Sequence, residues 1–393
     1  MKTYIFLLGQ ARELCLAELT EVLKFFRLGH PSVSGNLAFV QSASSLECDQ
    51  LQSLLGGTIK IAEIRGKIPD LTAESIVEFM DVGEKTSYTF SLSVYSPEPK
   101  IDESLHGEVK ALLTPKFSSV RYVLPKNDTL SSVVVTKQRV DEYLLVFDSK
   151  EKVWLIAKTV SVQNVESWSK RDFGRPFADP KAGMLPPKVA RMMVNLALPE
   201  SPGATKSLLD PFCGMGTILA EGSVSGWQVV GSDQSAVVVE KARKNLDWLV
   251  SEFDLKLTDF KLYVADATHV SKQLSGVTVS AIVTEPFLGA PFELRAGRLT
   301  QKGRPASTES IENTLKGLQK LYLGALKDWT KILAKNGKVV MVWPEINFNQ
   351  RQYPVKKLVD SCEKLGYTLT QGPYTYGRPQ AVVKRKIYVF KKI

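Results

Sequence analysis

The residues best suited to chemistry sit where strands give way to loops. In "LLDPFCGMGT", Leu208 to Thr217, an apolar strand ends in Asp210 and a Gly214-x-Gly216 turn opens a helix. Glycines at such a turn let the backbone approach a ligand closely, and the amino end of a helix attracts negative charge. A dinucleotide site of the G-x-G-x-x-G form would put a third glycine where Leu219 stands. Asp210 also suits a ligand bearing an ammonium group, so the pattern favours S-adenosylmethionine over NAD. Two further acids agree. Asp233 ends the strand in "VVGSDQS" and can accept two hydrogen bonds from a ribose diol; Asp266 ends the strand in "YVADATHV", within reach of an adenine amino group. Each acid alone also reads as a strand-end cap, but at three successive strand ends they converge on one ligand. The candidate cofactor set is Asp210, Phe212, Gly214, Gly216, Thr217, Asp233, Asp266 and Ala267. Cys213 reads as a small packed residue rather than a nucleophile, and His269 as a surface histidine.

A fourth strand carries the reacting groups. "SAIVTEPFLGAP" runs from small and β-branched residues into Glu285-Pro286-Phe287, at the end of a strand where open α/β sheets place their chemistry. Glu285 can accept N–H donors and Phe287 can stack on a base, although an aromatic after a buried strand is as often core. Just beyond, "ELRAGRLTQKGRPAST" gathers Arg295, Arg298, Lys302 and Arg304 among glycines. Beside a base-accepting pocket it reads as a phosphate clamp or lid; the plainer reading is a solvated loop.

These residues need a scaffold that lines up strand ends. From residue 207 onward strands and helices alternate: "SLLD", "GTILAEGSVSG", "QVVGSD", "SAVVVEKARKNLDWLV", "KLYVAD", "SAIVTEP", a helix near 310–335, "GKVVMVWP", a helix around Val355–Leu365 and "RKIYVFKK". That alternation predicts an α/β, doubly wound, Rossmann-like domain over residues 186–393. "PPKVARMMVNLALP" before it has two prolines suited to a helix start. Residues 169–185 read as a linker. The preceding residues alternate differently and predict two α+β units, at 1–67 and 68–168. Charge follows the same division. Residues 1–168 hold 18 basic and 21 acidic side chains and the remainder 33 and 20, so attraction for a polyanion lies mainly in the second half. With 393 residues, several cores are expected. There is no apolar run long enough to span a membrane and no signal-peptide pattern, and the four cysteines show no CxxC pair. A cytoplasmic protein without metal or membrane attachment is expected.

The motifs "DPFCGMGT", "GSDQS" and "VADAT" resemble those of Rossmann-fold amino methyltransferases, whose fourth strand ends in (Asp/Asn)-Pro-Pro-(Tyr/Phe). The segment "RDFGRPFADPKAGMLPPKVARMMVNLA" resembles the stretch before the first motif in the THUMP-containing tRNA guanosine-N2 methyltransferases, the family acting on guanosine 10 of tRNA. "YIFLLGQARELCLAELTEVL" resembles their ferredoxin-like amino-terminal domain and "YTYGRPQAVVKRKIYVF" their last hairpin, while the region around 70–165 matches a THUMP domain by position and element order. The resemblance implies an S-adenosylmethionine-dependent tRNA methyltransferase. In it, Glu285, Pro286, Phe287 and Thr284 stand at the catalytic loop, and Lys137, Arg139 and Arg378 join the basic loop in holding RNA. The chain departs from the pattern: aligning Pro286 and Phe287 with the last Pro and aromatic puts Thr284 at the Asp/Asn position and Glu285 at the first Pro. Either Glu285 supplies the acceptor, or the acid role is lost.

Three functions follow from these residues: guanosine-N2 methylation of tRNA, adenine-N6 methylation of RNA or DNA by the same amine geometry, and catalytically silent tRNA binding, which rests on Thr284. The amino-terminal units favour RNA over DNA. The missing third glycine sets a dehydrogenase last. One or two methyl additions, and the tRNAs chosen, leave no mark in the sequence.

Overall fold

The structure, a computed structural model, describes the chain apart from residues 82, 84–85, 96–101, 103, 127, 179–183, 202, 205, 256–259, 291, 296–297 and 302–303, and apart from the side chains of 292–295, 298–299, 301 and 304. The chain forms two compact units: residues 1–12, 28–54 and 58–165, and residues 13–27, 55–57 and 166–393.

In the first unit, strands β1 (Lys2–Leu8), β2 (Ser32–Ser34), β3 (Leu37–Ser42) and β4 (Thr58–Ile68) are followed by β5 (Ser87–Val94), β6 (Ser119–Tyr122), β7 (Asp141–Asp148) and β8 (Val153–Val162). They make one eight-stranded sheet in the order β2-β3-β1-β4-β8-β7-β5-β6. The boundary expected at 67/68 therefore does not separate two sheets, because β4 pairs with β1 on one edge and with β8 on the other. A buried ion pair joins the halves: Lys60 on β4 donates to Glu142 on β7 at 2.7 Å and to the Leu130 carbonyl, while Ser93 and Thr159 donate to the same carboxylate. Every charge there is hydrogen-bonded, as burial requires.

Helix α1 (Arg12–Phe25), expected in the amino-terminal domain, belongs from Glu13 onward to the second unit. Its apolar face, with Leu14, Leu19, Val22 and Leu23, is buried. Polar bonds fix where it docks. The Glu18 carboxylate accepts the N–H groups of Gly56 and Gly57 and the amide of Asn195 at 2.7–2.8 Å. Glu21 accepts from Lys338 and Gln371. Burial lifts the Glu18 carboxyl to about 7 against those bonds.

The sheet of the second unit is built from β9 (Ser207–Asp210), β10 (Gln228–Asp233), β11 (Lys261–Val264), β12 (Val279–Thr284), β16 (Leu333–Phe348), β18 (Tyr367–Tyr376) and β19 (Val383–Lys392). Its order is β11-β10-β9-β12-β16-β19-β18, parallel from β11 to β16 with β19 antiparallel on both sides. A short strand, β17 (Arg351–Pro354), folds back on the end of β16. The chain runs outward from β9 to β10 and β11, then returns to place β12 on the other side of β9. That reversal opens a crevice beyond the carboxyl ends of β9 and β12. This is the doubly wound α/β fold that the alternation predicts.

Helices α6 (Val165–Phe173), α7 (Pro187–Leu196), α8 (Thr217–Val224), α9 (Ala236–Glu252), α10 (Thr308–Trp329) and α11 (Leu358–Lys364) complete the unit. The expected linker thus starts as the end of α6. Pro187 opens α7, as its fixed φ favours. Ser235 caps α9, and a Ser307/Ser310 capping box starts α10. The stretch expected as a loop after Phe287 is instead a small antiparallel ribbon of β13 (Phe292–Arg295), β14 (Arg298–Gln301) and β15 (Arg304–Pro305). Among the described residues, no helix is long and apolar enough to cross a membrane, and no group of three His, Cys, Asp or Glu is placed to hold a metal.

Helix α8 lies so close to β10 that a Cβ on Gly231 would stand 2.4 Å from Leu219 Cδ1 and 2.8 Å from Leu262 Cδ2. Gly231→Ala should therefore cost about 1–3 kcal/mol by overpacking. Urea unfolding measures this, and an unchanged midpoint would mean that α8 can slide.

Candidate functional site

The crevice is floored by a side-chain hydrogen bond. Thr284, fully buried at the end of β12, donates its hydroxyl to Asp210 at the end of β9, at 2.6 Å. Asp210 also accepts the Phe212 N–H at 3.1 Å and is 1% exposed. The two residues do not stand where the sequence reading puts them. Asp210, expected to face an ammonium group, is enclosed, and Thr284, expected at the catalytic loop, presents no surface. The cause is the strand pairing, which leaves both side chains inside the sheet rather than above it. Burial pushes the Asp210 carboxyl up to about 7, against its two hydrogen bonds and with added repulsion from Asp233 and Glu285.

From Asp210 the chain turns through Pro211–Gly216. Gly214 and Gly216 have φ of +49° and +83°, which a side chain would resist. A Cβ on Gly214 would meet nothing nearer than the Phe212 carbonyl at 4.0 Å, so space lies over the loop. Asp233 braces it: Oδ2 accepts the Gly214 N–H at 3.3 Å and Oδ1 the Ser235 N–H at 3.0 Å. The Cys213 N–H bonds to the Ser232 carbonyl. Burial, with Asp210 and Asp233 beside it, pushes the Cys213 thiol well up, so it is a packed thiol and no nucleophile.

Two residues that sequence reasoning missed hold this loop from behind. Asn245 on α9 donates to the carbonyls of Met215 and Phe177 at 2.9 and 3.0 Å and accepts the Phe177 N–H at 2.9 Å. Arg175 donates to the Thr217 hydroxyl at 2.7 Å. Below them Glu221 lies between Arg171 and Arg191, at 2.9 and 2.8 Å. Asn245 sits at an unremarkable helix position; the one sequence signal was the irregular "GRPF", whose backbone needs partners.

The other acids lie along the same sheet edge. Asp266 is exposed just past β11, and the N–H and hydroxyl of Thr268 hold its carboxyl below the usual range. Ala267 is buried, its carbonyl accepting Trp329 Nε1 at 2.9 Å, and Phe212 meets the Trp329 ring edge-on. Val264, half exposed, adds an apolar surface beside Asp266. His269 is exposed and bonded to Thr268.

Glu285 is the first residue beyond β12, and its carboxylate is paired with Arg385 on β19. Burial raises its pKa and Arg385 opposes the rise. Pro286 follows, and Phe287 is 57% exposed while its carbonyl is held by the Tyr322 hydroxyl at 2.7 Å. The crevice thus joins a charged acceptor and an open aromatic face to a glycine loop flanked by acids. Of the expected RNA contacts, Lys302 lies outside the described residues, as do the side chains of Arg295, Arg298 and Arg304 on the ribbon. Arg378 is exposed in the turn between β18 and β19; Lys137 and Arg139 are exposed at the end of α5 (Ser132–Lys137) in the first unit.

Residues 175–298 match the model of the family described as UPF0020: RMKL-like, methyltransferase domain. A protein of Pyrococcus abyssi named tRNA (guanine(10)-N2)-dimethyltransferase is 34% identical over 166 residues, covering 42% of this chain and 46% of that one. A protein of the same name from Methanothermobacter thermautotrophicus is 31% identical over 192 residues, covering 49% and 47%. The chain spans about half the length of these curated relatives. In fold, the chain is similar to the crystal structure of TrmN from Thermus thermophilus, at 14% identity, with a TM-score of 0.53 and full coverage of both chains.

The raised Asp210 pKa has a consequence for stability. At pH 5–6 the folded chain holds a proton there that the unfolded chain, with an ordinary value of 3.8, has released. Stability from this group is therefore full below about pH 4 and falls as pH rises to about 7. Asp210→Asn removes that fall. Its stability relative to the parent should climb by about 4 kcal/mol between pH 4 and pH 8, measured by urea unfolding at each pH; a difference independent of pH would show Asp210 to be charged throughout.

Proposed function

We propose that this chain is an S-adenosylmethionine-dependent methyltransferase acting on the exocyclic N2 of a guanosine in tRNA. The observation that carries the proposal is the Thr284–Asp210 hydrogen bond, which ties together the strand ends from which the Glu285-Pro286-Phe287 segment and the Gly214–Gly216 turn depart. The residues present fit the cofactor. The open space over Gly214 suits a group approaching the backbone, Asp233 a ribose diol, and Val264 with Asp266 an adenine ring carrying an amino group. When bound, the cofactor supplies an electrophilic methyl group. The names of the relatives support tRNA and guanine N2 as the target, and the excess of basic charge after residue 168 supports a polyanionic substrate.

The chain's residues then have to orient an amine whose lone pair is delocalised into the purine. Phe287 stacks on the base, taken out of its helix. Glu285 accepts the N–H donors and favours the positive charge that grows on nitrogen as the N–C bond forms and the C–S bond breaks. The proton released leaves through that carboxylate to solvent. Thr284 and Asp210 hold the floor without touching substrate. The ribbon carrying Arg295, Arg298, Lys302 and Arg304 contacts the RNA backbone, and the first unit, through Lys137 and Arg139, contributes further RNA binding.

The test is incubation with an unmodified tRNA transcript and analysis of its nucleosides by mass spectrometry. N2-methylated guanosine is expected. N6-methyladenosine would transfer the reading to adenine chemistry, and binding of both ligands without product would make the chain a silent binder. Glu285→Ala should slow single-turnover methylation by about a hundredfold, roughly 3 kcal/mol, with cofactor affinity intact. Asp233→Ala should do the opposite, weakening the cofactor by about tenfold or more. Replacing all four ribbon cations by alanine should reduce the salt dependence of tRNA binding by about one unit per lost phosphate contact; an unchanged slope removes the ribbon from the interface.

A further inference from the structure

We infer that Arg385 is a positioning residue for the methyl-transfer chemistry, holding Glu285 in the ionised form and the orientation in which it accepts the donors of the target amine. The inference rests on the proposed role of Glu285 and extends it to a residue on the last strand, 100 positions downstream. The geometry is specific. Arg385 Nε binds Glu285 Oε1, and both side chains are largely enclosed, at 18% and 15% exposure. The Arg385 backbone is held as the third residue of β19, opposite Pro344 of β16 on one side and Tyr376 of β18 on the other.

The surroundings show why a cation is needed there. A carboxyl taken out of water favours its neutral form, and a neutral carboxyl offers an O–H donor where the chemistry needs an acceptor. Asp210, at the end of β9, lies within electrostatic range of Glu285. From α10 comes Tyr322 and from β18 comes Tyr376, both with phenols pushed up by burial and therefore neutral. Asp172 and Arg378 act on Tyr376 itself. Among the described residues that face Glu285 from these elements, Arg385 alone carries positive charge. The pair also fixes the carboxylate rotamer, since a guanidinium N–H prefers the carboxylate plane.

Arg385→Gln, Arg385→Lys and Glu285→Gln test this. An opposite charge at such range lowers a carboxylate pKa by about one to three units, so the alkaline plateau of the single-turnover rate should move up by about that much in Arg385→Gln. On the acid limb, below both plateaus, the loss should be about tenfold for each unit of that shift, recovering as the pH rises and largely restored in Arg385→Lys, with cofactor and tRNA affinities unchanged. The carboxyl titration of Glu285, followed by NMR of the full chain carrying 13C-labelled glutamate and assigned through Glu285→Gln, should shift in the same direction. That titration is independent of turnover: an unaltered chain that methylates nothing but still shows the shift would sink the proposed reaction while leaving the pair intact. A titration unmoved in the folded Arg385→Gln variant overturns the inference, as does a rate loss that is constant with pH or appears in tRNA affinity.

Discussion

The backbone ladder between β9 and β12 pairs Leu208 with Ala281 and Leu209 with Ile282 and then stops. Beyond that point a single side-chain hydrogen bond, Thr284 to Asp210, ties the two strand ends together. Both functional loops spring from these two residues, the glycine turn from Asp210 and the Glu-Pro-Phe segment from Thr284. If this tie were absent, the crevice floor would have no fixed width. A buried neutral or half-ionised carboxyl is well suited to the task, because it accepts two donors without forcing a full charge into the sheet.

That tie also shapes the electrostatics above it. The Asp210 carboxyl feels the charges of Asp233 and Glu285, and each of the three is accommodated by a different device. Asp210 takes up a proton more readily. Asp233 is solvated by the backbone N–H groups of Gly214 and Ser235. Glu285 is matched by the guanidinium of Arg385. Under the proposed function, these three separate remedies let a ribose acceptor and an amine acceptor stand at the ends of strands in one sheet.

Much of this was legible in the residues because strands and turns are written locally. "SLLD" and "QVVGSD" coincide with β9 and β10, since a short apolar run closed by an acid between helical stretches reads as a buried strand. The glycine turn was legible for the same reason: only glycine adopts the left-handed backbone at positions 214 and 216 without strain. The interior roles of Thr284 and Asp210 were not, because facing inward or outward at a strand end depends on the neighbouring strand. Arg385 and Asn245 were hidden by distance, their partners lying 100 and 68 residues away. The ribbon after Phe287 read as a loop because glycine and charge mask a short three-stranded pairing. Helix α1 was drawn correctly as an element but assigned to the wrong core, since an apolar stripe says that a helix is buried and not against what.

The lodging of α1 bears on how the protein is made. The helix leaves the ribosome well before several of its fixed partners, Asn195, Lys338 and Gln371, the last of them 350 residues downstream of Glu21. At roughly 5–20 residues per second, translation needs on the order of tens of seconds to deliver the last of them. Through that interval the Glu18 carboxylate lacks the Asn195 amide, and Glu21 lacks Lys338 and Gln371. The nascent chain must carry this helix with its carboxylates short of partners until the strands bearing Lys338 and Gln371 arrive, a kinetic exposure that chaperone capture would relieve.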